Sequence, residues 1–396
     1  MAEKEKIMTV TLESAVEDAN SYREGVRLEL PAEPGGIQDA LDKARVGTGQ
    51  PYKIIDCRSA QRDALTFLPE NPRLEELDLL ARRIDGLSEY ERHAFDGCVK
   101  MLNSPSMKDL INLTYSLDDV HVVQATDDYA LGKFYADNGF LSVLEDLLPE
   151  QQEALFELLD FDKIGRKQRE AEGGVFLGEY YITRESAALK EVYTGTFLND
   201  SPKPYVFRLN LVRLTAGMRL PPVDKPGVKL ELPAGEREIE NALRQLGVKS
   251  LSCCVFTRCD TPIPALRQAF DCSADIGQLN ELAHRLREVE QAGELAKFKA
   301  AFEVEGCTDV GQTLELAQNL DAYEFHPELT PEAYGEEILR RHSLDTSDHA
   351  FALFDFGDYG ERMMHRDGLA LTDYGAIRRV GPEPELAQAE QGLCLQ

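Results

Sequence analysis

Gly25–Leu41 reads GVRLELPAEPGGIQDAL and Gly227–Leu243 reads GVKLELPAGEREIENAL, with ten of 17 positions identical at a constant offset of 202. A shared segment of this length is the signature of an internal repeat, which has to be settled before any fold is considered. Each copy reads as a strand ending at LELPA, followed by a short amphipathic helix. The offset persists outward, where LEELDLLARRI from Leu74 faces IGQLNELAHRL from Ile276. It shifts by one for LINLTYSLDD from Leu110 against TLELAQNLDA from Thr313, and Gly132 then faces Gly335. Near the ends, Lys163-Ile164-Gly165-Arg166 faces Asp358-Tyr359-Gly360-Glu361 at an offset of 195, sharing only the glycine. The reading is two copies of one module, over residues 1–200 and 201–396. The turn and proline signals of Asn199-Asp200-Ser201-Pro202-Lys203-Pro204 form the junction.

Each copy opens on an alternating strand, MTVTLESAV or YVFRLNLVRL, and carries a further strand after its short helix, YKIIDCR or LSCCVFTR. A longer helical region and a short mixed tail follow. Ser106-x-x-Asp109 is a capping-box-like start for a helix whose stripe is Met107, Leu110, Ile111, Thr114 and Leu117. Val310, Thr313, Leu314, Ala317 and Leu320 repeat that stripe as core. The expected class is α+β, elongated, each repeat holding small α/β and helical subdomains.

The 396 residues hold 71 Asp and Glu against 43 Lys and Arg, a net charge of −28. That sign excludes a nucleic-acid binder, which needs a basic stripe to neutralise phosphates, and disfavours anionic membrane surfaces. The partner expected is itself basic. With no apolar run long enough to span a membrane and no secretory-type start, the expected location is cytoplasmic. Residues 1–200 carry 39 acids and 22 bases, the remainder 32 and 21. Asp109–Asp162 holds 13 acids and one Lys; Ala300–Leu339 holds ten acids and neither Lys nor Arg. After Pro149, Glu150, Glu153, Glu157 and Asp160 fall on one helical face opposite Leu155 and Leu158, a stripe left unpaired in sequence despite like-charge repulsion. Thr330-Pro331-Glu332 starts another helix, displaying Glu332, Glu336 and Glu337. The plainer reading of these stripes is a solvated face. At one phosphate charge per ~1.7 Å of duplex axis, 28 charges match roughly 48 Å of DNA.

Catalytic signatures are missing: neither a Walker-type loop, G-x-G-x-x-G, H-E-x-x-H nor G-x-S-x-G occurs. Asp355-Phe356-Gly357 and His365-Arg366-Asp367 imitate kinase motifs in the wrong order. His342, His349 and His365 with Asp348 have no counterpart in the first copy. Cys253, Cys254, Cys259 and Cys272 lack paired C-x-x-C spacing and read as small buried hydrophobes. The chain is read as a non-enzyme without metal or cofactor.

LTYSLDDVHVV and LAQNLDAYEFHPEL, the glycine-centred acidic helices TDDYALGKFYAD and TPEAYGEEILRR, and the tails IGRKQREAEGGVFLGEYYIT and YGERMMHRDGLALTDYG together give a pattern. It resembles the ArdA antirestriction proteins of conjugative plasmids and transposons, over about Met8–Val192 and again over Tyr205–Val380. The resemblance implies an acidic protein of a mobile element whose carboxylates mimic bent B-form DNA. Such a protein occupies the DNA groove of a Type I restriction-modification enzyme in a bacterial host, without cofactor or catalysis. Members are single modules that dimerise, so this chain is expected to act as a pseudo-dimer or as a homodimer of two-module chains. The phosphate-mimicking candidates are Asp118, Asp119, Asp127, Asp128, Asp137, Glu150, Glu153 and Glu157 in the first copy. In the second they are Glu315, Asp321, Glu324, Glu328, Glu332, Glu336 and Glu337. The alternative reading is a non-enzymatic regulatory or scaffolding protein of a mobile element that binds another basic protein.

Overall fold

The computed structural model describes residues 6–15, 25–47, 49–59, 72–102, 104–141, 156, 158–186, 188–196, 205–214, 226–267 and 269–381. Helices mixed with small antiparallel sheets make the chain an α+β protein. β1 (Met8–Ser14), β2 (Val26–Leu30), α1 (Gly36–Lys43) and β3 (Tyr52–Ser59) come first. They lead to α2 (Leu74–Asp85), α3 (Glu89–Met101), α4 (Met107–Leu113), β4 (Val120–Gln124), α5 (Asp128–Asp137), α6 (Phe161–Glu172), β5 (Val175–Leu177) and β6 (Tyr180–Arg184). Next are β7 (Phe207–Arg213), β8 (Val228–Leu232), α7 (Glu236–Leu246), β9 (Cys254–Asp260), α8 (Ile276–Gln291) and α9 (Leu295–Glu305). The order ends with α10 (Val310–Gln318), β10 (Tyr323–His326), α11 (Pro331–Arg341), α12 (Phe356–Arg366), β11 (Leu369–Thr372) and β12 (Gly375–Arg379).

Strand order recurs. The sheets are β2-β1-β3 and β8-β7-β9, then β4-β6-β5 and β10-β12-β11. Leu30–Pro31 and Leu232–Pro233, the prolines of the two LELPA segments, are both cis.

Two compact units result. Unit 1 comprises Met1–Thr11, Leu28–Ala32 and Asp56–Asp200; unit 2 comprises Leu12–Arg27, Glu33–Ile55 and Ser201–Gln396. The partition therefore differs from a plain division into residues 1–200 and 201–396, because α1 packs within unit 2. The junction at 199–204 and most of the helix expected after Pro149 lie outside the described residues. Where that stretch is described, Asp160 is not part of an unpaired stripe but caps α6, accepting from Lys163 N at 3.1 Å and pairing with Lys163 at 2.9 Å. Leu158, expected on a buried face, is 82% exposed.

In unit 1, α2 buries Leu74, Leu77, Leu80, Ala81 and Ile84, the a/d-like spacing of an amphipathic helix. α3 adds Ala94, Phe95, Cys98 and Val99, and α4 adds Leu110, Ile111 and Leu113. Removing each large side chain from water contributes about 1.5–3 kcal/mol. The core of unit 2 joins Phe207, Leu209 and Leu211 of β7 to Leu279, Leu282 and Leu286 of α8 and Phe298 of α9. Caps set the helix starts. Ser106 Oγ accepts from Asp109 N at 3.2 Å while Asp109 accepts from Ser106 N at 2.9 Å. Thr330 caps α11, with Pro331 at its first position.

Two helix pairs approach at glycines. A Cβ on Gly165 would lie 1.8 Å from Asp128 O, and one on Gly132 2.0 Å from Phe161 O, so α5 and α6 touch backbone to backbone. In unit 2, a Cβ on Gly360 would lie 1.7 Å from Pro331 O and one on Gly335 2.6 Å from Phe356 O. The weak sequence match of Gly165 with Gly360 thus falls on two crossings of the same kind.

One local expectation is corrected. SLSCCVF is not strand throughout: a 3-10 turn covers Leu251–Cys253 and β9 begins at Cys254. The turn leaves Cys253 exposed, while Cys254 is buried.

Candidate functional site

At least seven of the twelve candidate carboxylates that the structure describes are engaged by cations, four of them by cations distant in sequence. Asp118 pairs with Lys190, and Asp119 lies 3.8 Å from Arg184 Nε. Asp128 accepts two bonds from Arg169, at 2.8 and 3.0 Å, in the planar two-point arrangement favoured by guanidinium. Those bonds from Arg169, chiefly, hold the Asp128 carboxyl below its ordinary pKa. Asp137 pairs with Lys133 at 2.7 Å and Glu324 accepts from Arg378 Nε at 3.2 Å. Glu336 pairs with Arg340 at 2.6 Å and Glu337 with Arg341 at 3.1 Å, both one helical turn on. Glu336 and Glu337 are therefore not bare charges on an unpaired stripe.

The remaining candidates divide by environment. Asp127 is exposed and caps α5, accepting from Ala130 N at 2.8 Å. Asp321 and Glu328 are exposed, and Glu315 and Glu332 half-buried. Glu150, Glu153 and Glu157 lie outside the described residues.

Other acids are exposed as well. On α7, Glu236 and Glu240 stand one turn apart in water, and on α8 Glu281 and Glu290 do the same at wider spacing. Among the described residues none of these four is ion-paired. Glu236 and Glu240 belong to GVKLELPAGEREIENAL itself, and their i,i+4 spacing was there to be read. Arg237 and Arg244 between and after them made the segment look neutral beside the base-depleted tracts.

A charged cluster inside unit 2 had no sequence signal. Lys299, with a side chain 2% exposed, donates to Asp39 at 2.8 Å and to Asp42 at 2.7 Å. Tyr374 OH also donates to Asp39, at 2.9 Å, and the Lys299 ammonium sits 5.3 Å from the Tyr374 ring centre. Burial, then the nearby Asp39 carboxylate, drives the Tyr374 phenol well above its ordinary pKa. The arrangement satisfies the buried ammonium and ties α1 to α9 and Tyr374.

Among the described residues, no group of three or more His, Cys, Asp or Glu is placed to hold a metal ion. No described helix is long and apolar enough to cross a membrane. Burial pushes the thiols of Cys57, Cys98 and Cys307 up to about 11 and that of Cys259 up to about 12, so these sulfurs stay protonated and weakly nucleophilic. Two open clefts stand out, one of about 430 Å³ in unit 2 beside Asp42, Arg45 and Glu290, and one of about 520 Å³ in unit 1 beside His121, Phe140 and Glu172.

Comparison with known families, curated proteins and solved structures finds no match. The chemistry of the surface therefore carries the functional argument.

Proposed function

We propose that this chain is an acidic DNA mimic, built from two tandem ArdA-like modules, that occupies the DNA-binding groove of a restriction-modification or related defence enzyme, most plainly a Type I complex. One observation carries the reading: the excess of 28 carboxylates over cationic side chains, contributed by both halves of the sequence. Exposed acids such as Asp127, Asp321, Glu236 and Glu240 would present that excess to solvent. A basic groove shaped for phosphates attracts such a surface by long-range steering and complementary contact. The recurring strand orders and glycine crossings support the two-module part of the reading. The chain would work in the cytoplasm of a bacterial host, without turnover, as a pseudo-dimer or a homodimer.

The internal ion pairs favour a second reading, a non-enzymatic scaffold that binds a different basic protein. One experiment separates the two. The protein is immobilised, exposed to host lysate, and the retained partner is challenged with duplex DNA and with salt. Release of a DNA-binding defence enzyme by duplex supports mimicry. Retention that duplex cannot displace overturns it in favour of the scaffold, and a metal-dependent turnover overturns both.

A further inference from the structure

The unit 1 cleft has a counterpart in unit 2 that is already filled. Gly173 directly follows α6 and Gly368 lies two residues past α12, both left-handed with φ of 68° and 73°, and each leads into a three-stranded antiparallel sheet of the same order. Matching these glycines places Glu172 with Asp367 and Thr183 with Arg378. Cross-strand register then matches His121, opposite Thr183, with Glu324, opposite Arg378.

In unit 2 the Arg378 guanidinium bridges the strands to Glu324, Nε at 3.2 Å. Its proton is held chiefly by that bond, and it also lies in the field of Asp367, which accepts from Tyr334 OH at 2.7 Å. In unit 1 the arginine is replaced by Thr183, whose short side chain leaves the place open. What remains around it still suits a guanidinium. Glu172 takes hydrogen bonds from Tyr135 OH and, at 2.9 Å, from Tyr181 OH, which fixes its carboxylate at the cleft. Phe140, 61% exposed, meets Tyr135 at 5.7 Å and Phe134 at 6.0 Å between ring centres, giving an aromatic wall. Glu185 stands at the edge, bonded to His121 at 2.9 Å. Among the described residues lining the cleft, the permanent cation is Arg184, whose side chain is 8% exposed, donates to Ala188 O at 2.6 Å and lies 3.8 Å from Asp119. A carboxylate fixed beside aromatic faces is the combination that recognises a flat, delocalised cation.

We propose that the cleft bounded by Thr183, Glu172 and Phe140 is a binding site for a guanidinium group, taking from outside the cation that Arg378 supplies within unit 2. Its source is an arginine side chain on a basic protein, an assignment that rests on the DNA-mimic reading; a free guanidino compound shares the chemistry.

The full chain is titrated with N-acetyl-arginine methylamide, N-acetyl-lysine methylamide and methylguanidine, and the ring resonances of Phe140 and Tyr135 are followed by NMR. The arginine derivative is expected to shift both rings at millimolar concentration, and the lysine derivative to bind about tenfold more weakly, lacking the planar fork. Phe140→Ala, at an exposed position, should weaken binding about threefold. The double change His121→Glu with Thr183→Arg, which installs the unit 2 pair, should abolish it. Methylguanidine binding with the arginine derivative excluded overturns the polypeptide source and supports the free compound. No shift with any probe, or equal response to lysine and arginine, overturns the site. That result leaves the duplex-competition experiment intact, since it is read without the target enzyme.

Discussion

Lys299 and Asp39, 260 residues apart in sequence, meet at 2.8 Å inside unit 2. Breaking one side of a buried ion pair strands the other charge, at a cost of about 3–5 kcal/mol. Lys299→Ala should therefore destabilise unit 2 by that amount, read as a lower urea midpoint by circular dichroism. Lys299→Met combined with Asp39→Leu and Asp42→Leu should recover most of the loss, because the stranded charges are gone. A single variant no less stable than wild type would show that the cluster does not hold α1.

Gly165→Ala and Gly360→Ala should each lower the melting temperature sharply. Their new Cβ atoms would fall 1.8 and 1.7 Å from carbonyl oxygens of the facing helix, which must move away as a rigid element. Overpacking of this kind costs about 1–3 kcal/mol or more. Gly86→Ala serves as the control: its φ is −78° and its Cβ would meet nothing nearer than 3.5 Å, so it should be neutral or slightly stabilising.

The Asp128–Arg169 pair predicts a pH dependence with a definite sign. Asp128 has a depressed folded pKa, so its contribution is present above the ordinary aspartate value and is lost as pH falls through the folded value. The stability gap between wild type and Asp128→Asn should be widest near neutrality and shrink below about pH 4. A gap constant across that range would assign the loss to packing instead of charge.

If the candidate acids face a basic groove, the cations that neutralise them attenuate the contact. Lys190→Ala frees Asp118, whose side chain is 82% exposed. At low salt it should tighten target binding by up to about fivefold, through faster association, since an exposed pair is worth at most about 1 kcal/mol. Weaker binding would remove Asp118 from the interface.

Thiol labelling of the native protein should distinguish the cysteines. Among the described cysteines, Cys253 is exposed and should react first, while Cys98, buried and with its thiol pushed up to about 11, should react only on unfolding. Rates measured with a thiol-specific chromophore check this.

The α+β class was legible because it rests on local signals. LELPA strands, the Ser106 capping box and the Thr330-Pro331 start each involve neighbours within four residues. The charge environment was not. Asp109–Asp162 looks unneutralised on paper, yet Arg169, Arg184 and Lys190 fold back onto Asp128, Asp119 and Asp118. A local count of charges cannot register pairing between distant segments. Lys299 was hidden for the same reason: within LAKFKAAFEVE it reads as one more polar position on a helix, and its partners stand more than 250 residues away. The two tyrosines that fix Glu172 lie nine and 37 residues from it, on different elements.

That α1 belongs with unit 2 also bears on how the chain is made. Asp39 and Asp42 leave the ribosome about 260 residues before Lys299, which at roughly 5–20 residues per second is a wait of about 13–50 s. During that interval Asp39 and Asp42 lack the ammonium that pairs with them in the finished protein. Synthesis must run past Tyr374 before the last member of the cluster emerges, so completion of unit 2 is tied to the final stretch of translation. Truncation between residues 55 and 298 would leave Asp39 and Asp42 without Lys299, and truncation between 299 and 373 would leave Asp39 without Tyr374.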